Sequence, residues 1–322
     1  MLMQVFDAPF CAPYFQDKHP KKVLEVACGS GLWSTTCHEY LGRGSGTSFT
    51  GLDILPLAPD MSKSGLRWHF VHHDLRRPPL PFSDGQFDFV FVKDTGLCTS
   101  AASLQAEPLS EFLRVLKSGG TLEVWDSDYI IRTLLPNPPI APGMSDEQVE
   151  QAKETATYSI SAATPFARAK NQYLRDYNTW AAAAFERRKL TGVPCAFIGM
   201  AFSAETDSFR NYGSRRMAIP LGEIGWEKDL HEQKGLAGRA DSSEAHLPTW
   251  TLTPDQLSLR RTALSTIVQM IEGLESMLME ASGKSKDEWD RWWASMVTDL
   301  LQDEGAANGE CLEVGAWWGQ KR

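Results

Sequence analysis

The stretch Val23-Leu24-Glu25-Val26-Ala27-Cys28-Gly29-Ser30-Gly31 decides how the chain reads. An apolar run leads into two glycines separated by one residue. A strand that ends in glycines and opens a helix lets backbone N–H groups approach a ligand closely, because no Cβ intervenes. The helix is predicted from about Leu32 to Leu41, stopped by Gly42. Asp53 stands 22 residues beyond Gly31, at the end of the next apolar run, Phe49 to Leu52. A carboxylate placed there can accept both hydroxyls of a ribose. Together the two features predict a nucleoside-containing cofactor at the carboxyl edge of a parallel sheet.

The sequence on either side extends this pattern. A third strand is predicted from Leu66 to Val71, ending at His72-His73-Asp74, and a fourth from Phe87 to Val92, ending at Lys93-Asp94. Leu109, Phe112, Leu113 and Leu116 recur at helical spacing, Lys117-Ser118-Gly119-Gly120 stops that helix, and Thr121 to Trp125 forms the fifth strand. Short strands alternating with helices are the signature of a parallel sheet with crossover connections. After Trp125 the texture changes. Residues 136–143 form a proline-rich linker. Ser145 with Gln148 is a capping box opening a helix that Pro165 interrupts, and a second helix is expected to carry Phe166, Tyr173, Tyr177 and Trp180 toward Gly192. Arg215 to Pro220 is read as a sixth strand, Thr253-Pro254-Asp255-Gln256 and Ser285 with Glu288 as two more helix starts, and residues 311–318 as a final strand.

Composition narrows the class. The 322 residues carry a net charge of −9 with 42% hydrophobic side chains, the balance of an ordinary globular chain. Such acidity argues against nucleic-acid binding, which needs a basic stripe. Six cysteines without a CxxC pair suggest neither a disulfide framework nor a zinc knuckle. The opening residues lack the positive region of a signal peptide, and no apolar stretch approaches a bilayer's thickness. The expected location is the cytoplasm, with the nucleus as the other option, and no membrane partner is expected.

The identity of the cofactor turns on Glu25. Gly29-x-Gly31-x-x-Ser34 nearly satisfies the dinucleotide pattern, but its third glycine is replaced. A pyrophosphate wants backbone donors and no nearby carboxylate, whereas the ammonium of a methionine moiety welcomes one. Glu25-x-Ala27-x-Gly29-x-Gly31, Asp53, His73-Asp74-Leu75, Phe87-Asp88-Phe89-Val90 and Leu116-Lys117-Ser118-Gly119-Gly120 resemble the ordered motifs of class I S-adenosylmethionine-dependent methyltransferases. Residues 260–318, with IEGLESML, GKSKDEW and the closing AWWGQK, resemble the fungal methyltransferases grouped with the secondary-metabolism regulator LaeA. Ala27 departs from the usual first glycine, at little cost if the backbone there stays extended.

The resemblance implies an α/β fold: a Rossmann-like seven-stranded sheet, last strand antiparallel, with helices on both faces and an inserted helical cap. It divides the chain into an N-terminal arm or lid (residues 1–20), a cofactor-binding core (21–135), a helical cap for substrate (136–212) and a completion of the core (213–322). It implies that Ala27, Cys28, Gly29, Ser30 and Gly31 hold the methionine part of the cofactor, with Glu25 on its ammonium side and Trp33 beside it. Asp53, followed by Ile54, binds the ribose, Asp74 with His73 and Leu75 meets the adenine, and Lys93 and Asp94 face the sulfonium. The implied reaction methylates a small organic molecule, natural products among the candidates, and leaves S-adenosylhomocysteine. The alternative is a regulatory protein that binds the cofactor and acts through protein partners.

Methyl transfer to a hydroxyl needs a general base. Candidates from the ends of strands four and five are Asp94, Asp126, Asp128 and Tyr129. His231 and His246 fall in segments without a readable pattern. Adjacent residues on a strand point to opposite faces, so His72 and His73 do not suit one metal ion, and none is expected. Asn137-Pro138-Pro139-Ile140 is read as linker. The aromatic residues Phe6, Phe10, Tyr14 and Phe15 are expected to cover something as a lid, since a short arm so rich in rings needs a surface to bury them against.

Overall fold

A computed structural model describes residues 1–15, 19–98, 107–227, 251–302 and 305–322. The chain divides into two compact units that interleave along the sequence. One holds Leu2–Asp128, Phe185–Arg215 and Val314–Arg322; the other holds Met1, Tyr129–Ala184 and Arg216–Glu313. His231 and His246 lie outside the described residues.

The first unit contains β1 (Lys22–Val26), β2 (Ser48–Asp53), β3 (Trp68–His72), β4 (Phe87–Lys93) and β5 (Leu116–Ser127). They pair in parallel in the order β3-β2-β1-β4-β5. Three short strands lie in the second unit: β6 (Arg132–Leu134), β7 (Tyr158–Ser159) and β8 (Phe166–Arg168). Two long strands, β9 (Phe209–Pro220) and β10 (Glu310–Lys321), each contribute one part to either unit. From Val314 to Gln320, β10 runs antiparallel to β5. The fold is therefore α/β and Rossmann-like, with β1 to β5 parallel and the last strand antiparallel as the sequence predicts; the sheet exceeds the expected seven strands, because β6 to β9 bring it to ten and add further antiparallel pairs, β6 with β8 and β10, and β7 with β9.

Nine helices are present among the described residues: α1 (Leu2–Phe6), α2 (Leu32–Leu41), α3 (Glu107–Val115), α4 (Asp146–Glu154), α5 (Gln172–Arg187), α6 (Pro194–Ala204), α7 (Pro254–Gly273), α8 (Glu275–Ser282) and α9 (Lys286–Leu301). Capping boxes at Ser145, Thr253 and Ser285 start α4, α7 and α9, where side-chain oxygens accept backbone N–H groups that a helix leaves free.

Two further expectations are corrected. The helix from Ser145 stops at Glu154, eleven residues before Pro165, and Phe166 lies in β8 paired with β6 instead of on a helix. Lys117 to Gly120 does not separate helix from strand, because β5 begins at Leu116 and absorbs those residues in a bulge. There Phe87 faces Leu116 while Phe89 faces Thr121, and Gly119 supplies the left-handed φ of 78°.

In the first unit, Leu24, Val26, Leu52, Val90, Val92, Leu122 and Val124 join Phe112 of α3 and Ile198 and Phe202 of α6 in one core. Each such side chain contributes roughly 1.5–3 kcal/mol. Residues of the opposite alternation, Phe89 and Phe91, meet Trp33 of α2 and the N-terminal arm. The arm is docked on the sheet: Phe10 and Phe15 are buried against Phe89, Phe6 packs on Trp125, and the N–H groups of Cys11 and Ala12 donate to the buried carboxylate of Glu123 at 2.5 and 3.0 Å.

Candidate cofactor site

The parallel register of β1 and β2 sets Val26 beside Leu52 and brings both strands to their carboxyl ends together. Beyond that edge the chain turns sharply. Ala27, Gly29 and Gly31 all take left-handed backbones, with φ of 55°, 50° and 68°. Ala27 thus corrects the expectation of extended backbone, and a residue with a Cβ holds a conformation that favours glycine. A Cβ built on Gly29 would meet nothing within 4 Å, so the loop opens on free space, whereas one on Gly31 would strike the Met61 methyl at 2.2 Å.

Asp53, at the end of β2, holds this turn. Its Oδ2 accepts the N–H of Gly29 at 2.8 Å, and its Oδ1 accepts the N–H groups of Ile54 at 2.7 Å and Leu55 at 3.3 Å. The next strand is tied in by the N–H of His73, which donates to the Asp53 carbonyl at 3.0 Å. The glycine loop, Asp53, Ile54 and His73 are therefore brought together at one sheet edge.

Glu25 sits beneath the loop. It is 4% exposed, and burial pushes its carboxyl up to about 7. Ser34 donates its hydroxyl to Glu25 Oε2 at 2.5 Å. The residue that spoils the dinucleotide pattern is thus the hydrogen-bond partner of the residue that argues for a methionine moiety. Trp33 belongs to the core: it is 4% exposed, stacked on Phe91 at 3.9 Å, and donates its indole N–H to the carbonyl of Pro9.

Asp74 follows β3, and Leu75 packs against the core behind it. Arg76 grips the Asp74 carboxylate with two side-chain contacts of 2.9 Å and a backbone N–H at 3.0 Å. These bonds hold the carboxyl down at about 2. Nothing in the sequence pattern singled out Arg76, whose signal is its place two residues after an aspartate in a turn.

At the end of β4, Asp94 adopts φ 53° and pairs with Lys93. Asp126, on β5, is buried: its Oδ2 accepts the N–H of Gly96 at 2.9 Å and its Oδ1 that of Ser127 at 2.8 Å. Burial, with Asp94 nearby, raises its carboxyl to about 7. Asp128 accepts the N–H of Cys195 at 3.0 Å, the first turn of α6. Tyr129 lies in the second unit, where its carbonyl accepts the hydroxyl of Tyr177. Among the described residues, no group of three or more His, Cys, Asp or Glu could hold a metal ion, and no helix is long and apolar enough to cross a membrane.

Residues 23–120 match the family model described as a methyltransferase domain. Over those residues the chain is similar to a methyltransferase domain. A search of curated proteins finds no match. Among solved structures, the methyltransferase domain is similar to the PH0226 protein of Pyrococcus horikoshii, 28% identical over 39% of this chain and 57% of that one, with a TM-score of 0.33. The matched stretch thus spans just over half of that protein. YcgJ of Bacillus subtilis is 14% identical over 100% of this chain and 99% of its own, with a TM-score of 0.40. The phosphoethanolamine N-methyltransferase 2 of Haemonchus contortus, solved with S-adenosylhomocysteine, is 12% identical over 99% and 56%, with a TM-score of 0.36.

The residues present would suit a nucleoside-containing cofactor with a methionine moiety. The loop from Ala27 to Gly31 is a cradle of backbone opening on free space, and carboxylates stand at the ends of β1, β2 and the turn after β3.

Proposed function

We propose that the protein transfers a methyl group from S-adenosylmethionine to a small organic acceptor, and that the loop Ala27–Gly31 with Asp53 holds the cofactor. The observation that carries this reading is the hydrogen bond from Gly29 N–H to Asp53, which fixes a left-handed glycine loop beside a carboxylate at the sheet's carboxyl edge. When bound, the cofactor supplies a methyl group on a positively charged sulfur, a strong electrophile. The protein's own residues orient and exclude water. In this reading Cys28, Gly29, Ser30 and Gly31 cradle the methionine part, Glu25 stands below it with a carboxyl that the ammonium of the cofactor would draw toward its ionised form, Asp53 and Ile54 take the ribose, and His73, Asp74 and Leu75 line the adenine end.

For a hydroxyl acceptor the proton goes to Asp126, whose backbone-held carboxyl titrates near neutrality and whose place on β5 is next to Asp94 across the β4–β5 pairing. The acceptor is selected by residues outside the matched domain, the expected cap at 136–212 first. The resemblance of residues 260–318 to the LaeA-like group supports an acceptor among natural products. A cofactor-binding regulatory protein of the cytoplasm or nucleus is the second reading, and the uncovered basic face described below favours it.

Calorimetric titration with S-adenosylmethionine and S-adenosylhomocysteine tests the proposal. Micromolar binding is expected, about −8 kcal/mol, falling at least about tenfold in Asp53→Ala, a loss of about 1.4 kcal/mol. Undiminished affinity in a folded Asp53→Ala protein removes the site from this loop.

A further inference from the structure

The same parallel strands have an opposite, amino edge, and there the described residues leave one face open. In β1 and β2 the alternation that buries Leu24, Val26 and Leu52 puts Lys22, Ser48 and Thr50 on that face nearer the amino ends. Parallel sheets are ordinarily covered on both faces by crossover helices. Here the connection from β3 to β4 contains no helix, and that from β2 to β3 contains only a short 3₁₀ turn, Met61–Ser64. What remains is a cleft of about 330 Å³ lined by Lys22, Ser48, Thr50, Arg67, His69 and Gln86, with aromatic residues at its sides.

The charge of this cleft opposes that of the molecule. Lys22, Arg67 and His69 are exposed, and the Lys21 ammonium and Arg67 guanidinium share the space beside Gly46. Asp88, the carboxylate that meets the backbone of this edge, is consumed: one oxygen accepts Lys117 Nζ at 2.6 Å, the other the backbone N–H groups of Lys21 and Lys22 at 3.0 and 2.8 Å. Among the described residues no carboxylate pairs with the side chain of Lys21, Lys22, Arg67 or His69. A basic, uncovered face on a chain of net charge −9 is a local feature with an electrostatic sense.

We propose that this face docks an acidic segment of a partner protein. The cations are spread across adjacent strands, about 4.8 Å apart, and no helix N-terminus points into the cleft. A lone phosphate wants convergent donors of that kind, while an extended segment sets successive carboxylates along the row. Nucleic acid is disfavoured by long-range repulsion from the rest of the chain. The proposal is independent of the cofactor reading, since the cleft lies at the opposite ends of the strands.

The test is fluorescence anisotropy with a labelled hexaglutamate peptide, a hexaglutamine peptide, inorganic phosphate as competitor and a single-stranded oligonucleotide, against the full chain. The acidic peptide is expected to bind, to weaken as salt is raised, and to lose at least about tenfold in affinity in the double variant Lys22→Glu, Arg67→Glu, with S-adenosylhomocysteine binding unchanged as proof of folding. If that variant fails to fold, Arg67→Gln with His69→Gln is expected to lose at least about threefold. Equal affinity for hexaglutamine, displacement by millimolar phosphate, tighter binding of the oligonucleotide, or indifference to the folded variants would each overturn the proposal.

Discussion

Ala27 lies in the left-handed region at φ 55°, one residue past β1, where the glycine loop begins. A Cβ in that region costs roughly 1–2 kcal/mol, part of which glycine's greater freedom in the unfolded chain would cancel. Ala27→Gly is therefore expected to stabilise the protein by about 1 kcal/mol, measured as a shift in urea midpoint at constant slope; a destabilised variant would show that the alanine methyl packs usefully. Asp126 carries a second prediction at this scale. With its carboxyl near 7, the ionised, proton-accepting form grows as pH rises through neutrality. Methyl transfer to a hydroxyl acceptor should climb across that window in the parent, and Asp126→Asn should lose both the climb and most of kcat. An unchanged profile would place the base elsewhere.

Elements show which interactions the sequence could disclose. The three capping boxes, the glycine loop and Asp53 are local patterns, and each was legible because its partners lie within a few residues or at one fixed spacing. α6 was not: its sequence PCAFIGMAFSA is apolar all round and so has no helical period to read. The strands β6 to β8 are too short to alternate visibly. Glu123 was missed for a different reason, since its donors Cys11 and Ala12 stand more than a hundred residues away; its only signal was a carboxylate inside the apolar run Leu122 to Trp125. The same carboxylate accepts the indole N–H of Trp125 at 2.6 Å. Glu123→Gln turns an acceptor toward a donor amide among three N–H groups, and is expected to cost about 1–3 kcal/mol and to speed proteolysis within residues 1–15. Protection equal to the parent's would mean that Phe6, Phe10 and Phe15 hold the arm unaided.

Across the whole molecule, three buried acids of the first unit, Glu25, Glu123 and Asp126, have carboxyls raised by burial to about 7. Each therefore holds a proton in the folded protein at a pH where the unfolded chain has already released it. Stability is fullest below the ordinary carboxylate range as far as these groups go, and is lost as pH rises through about 7. Asp74, held down at about 2 by Arg76, acts in the opposite sense, favouring the fold until acid protonates it. Urea unfolding is expected to show lower stability at about pH 8 than at about pH 5.5, with proton uptake on folding between them; a flat or rising profile would contradict the buried, neutral acids.

The strand Glu310–Lys321 has a consequence in time. Its first residues pair with β6 in one unit and the rest with β5 in the other, so each unit is completed by residues that leave the ribosome after nearly everything they touch. The interior edge of β5 must wait unpaired while about two hundred further residues are made at roughly 5–20 per second, an interval of ten seconds or more. During that interval the nascent chain exposes an apolar strand edge, so the order in which the chain is made is part of how the fold is reached.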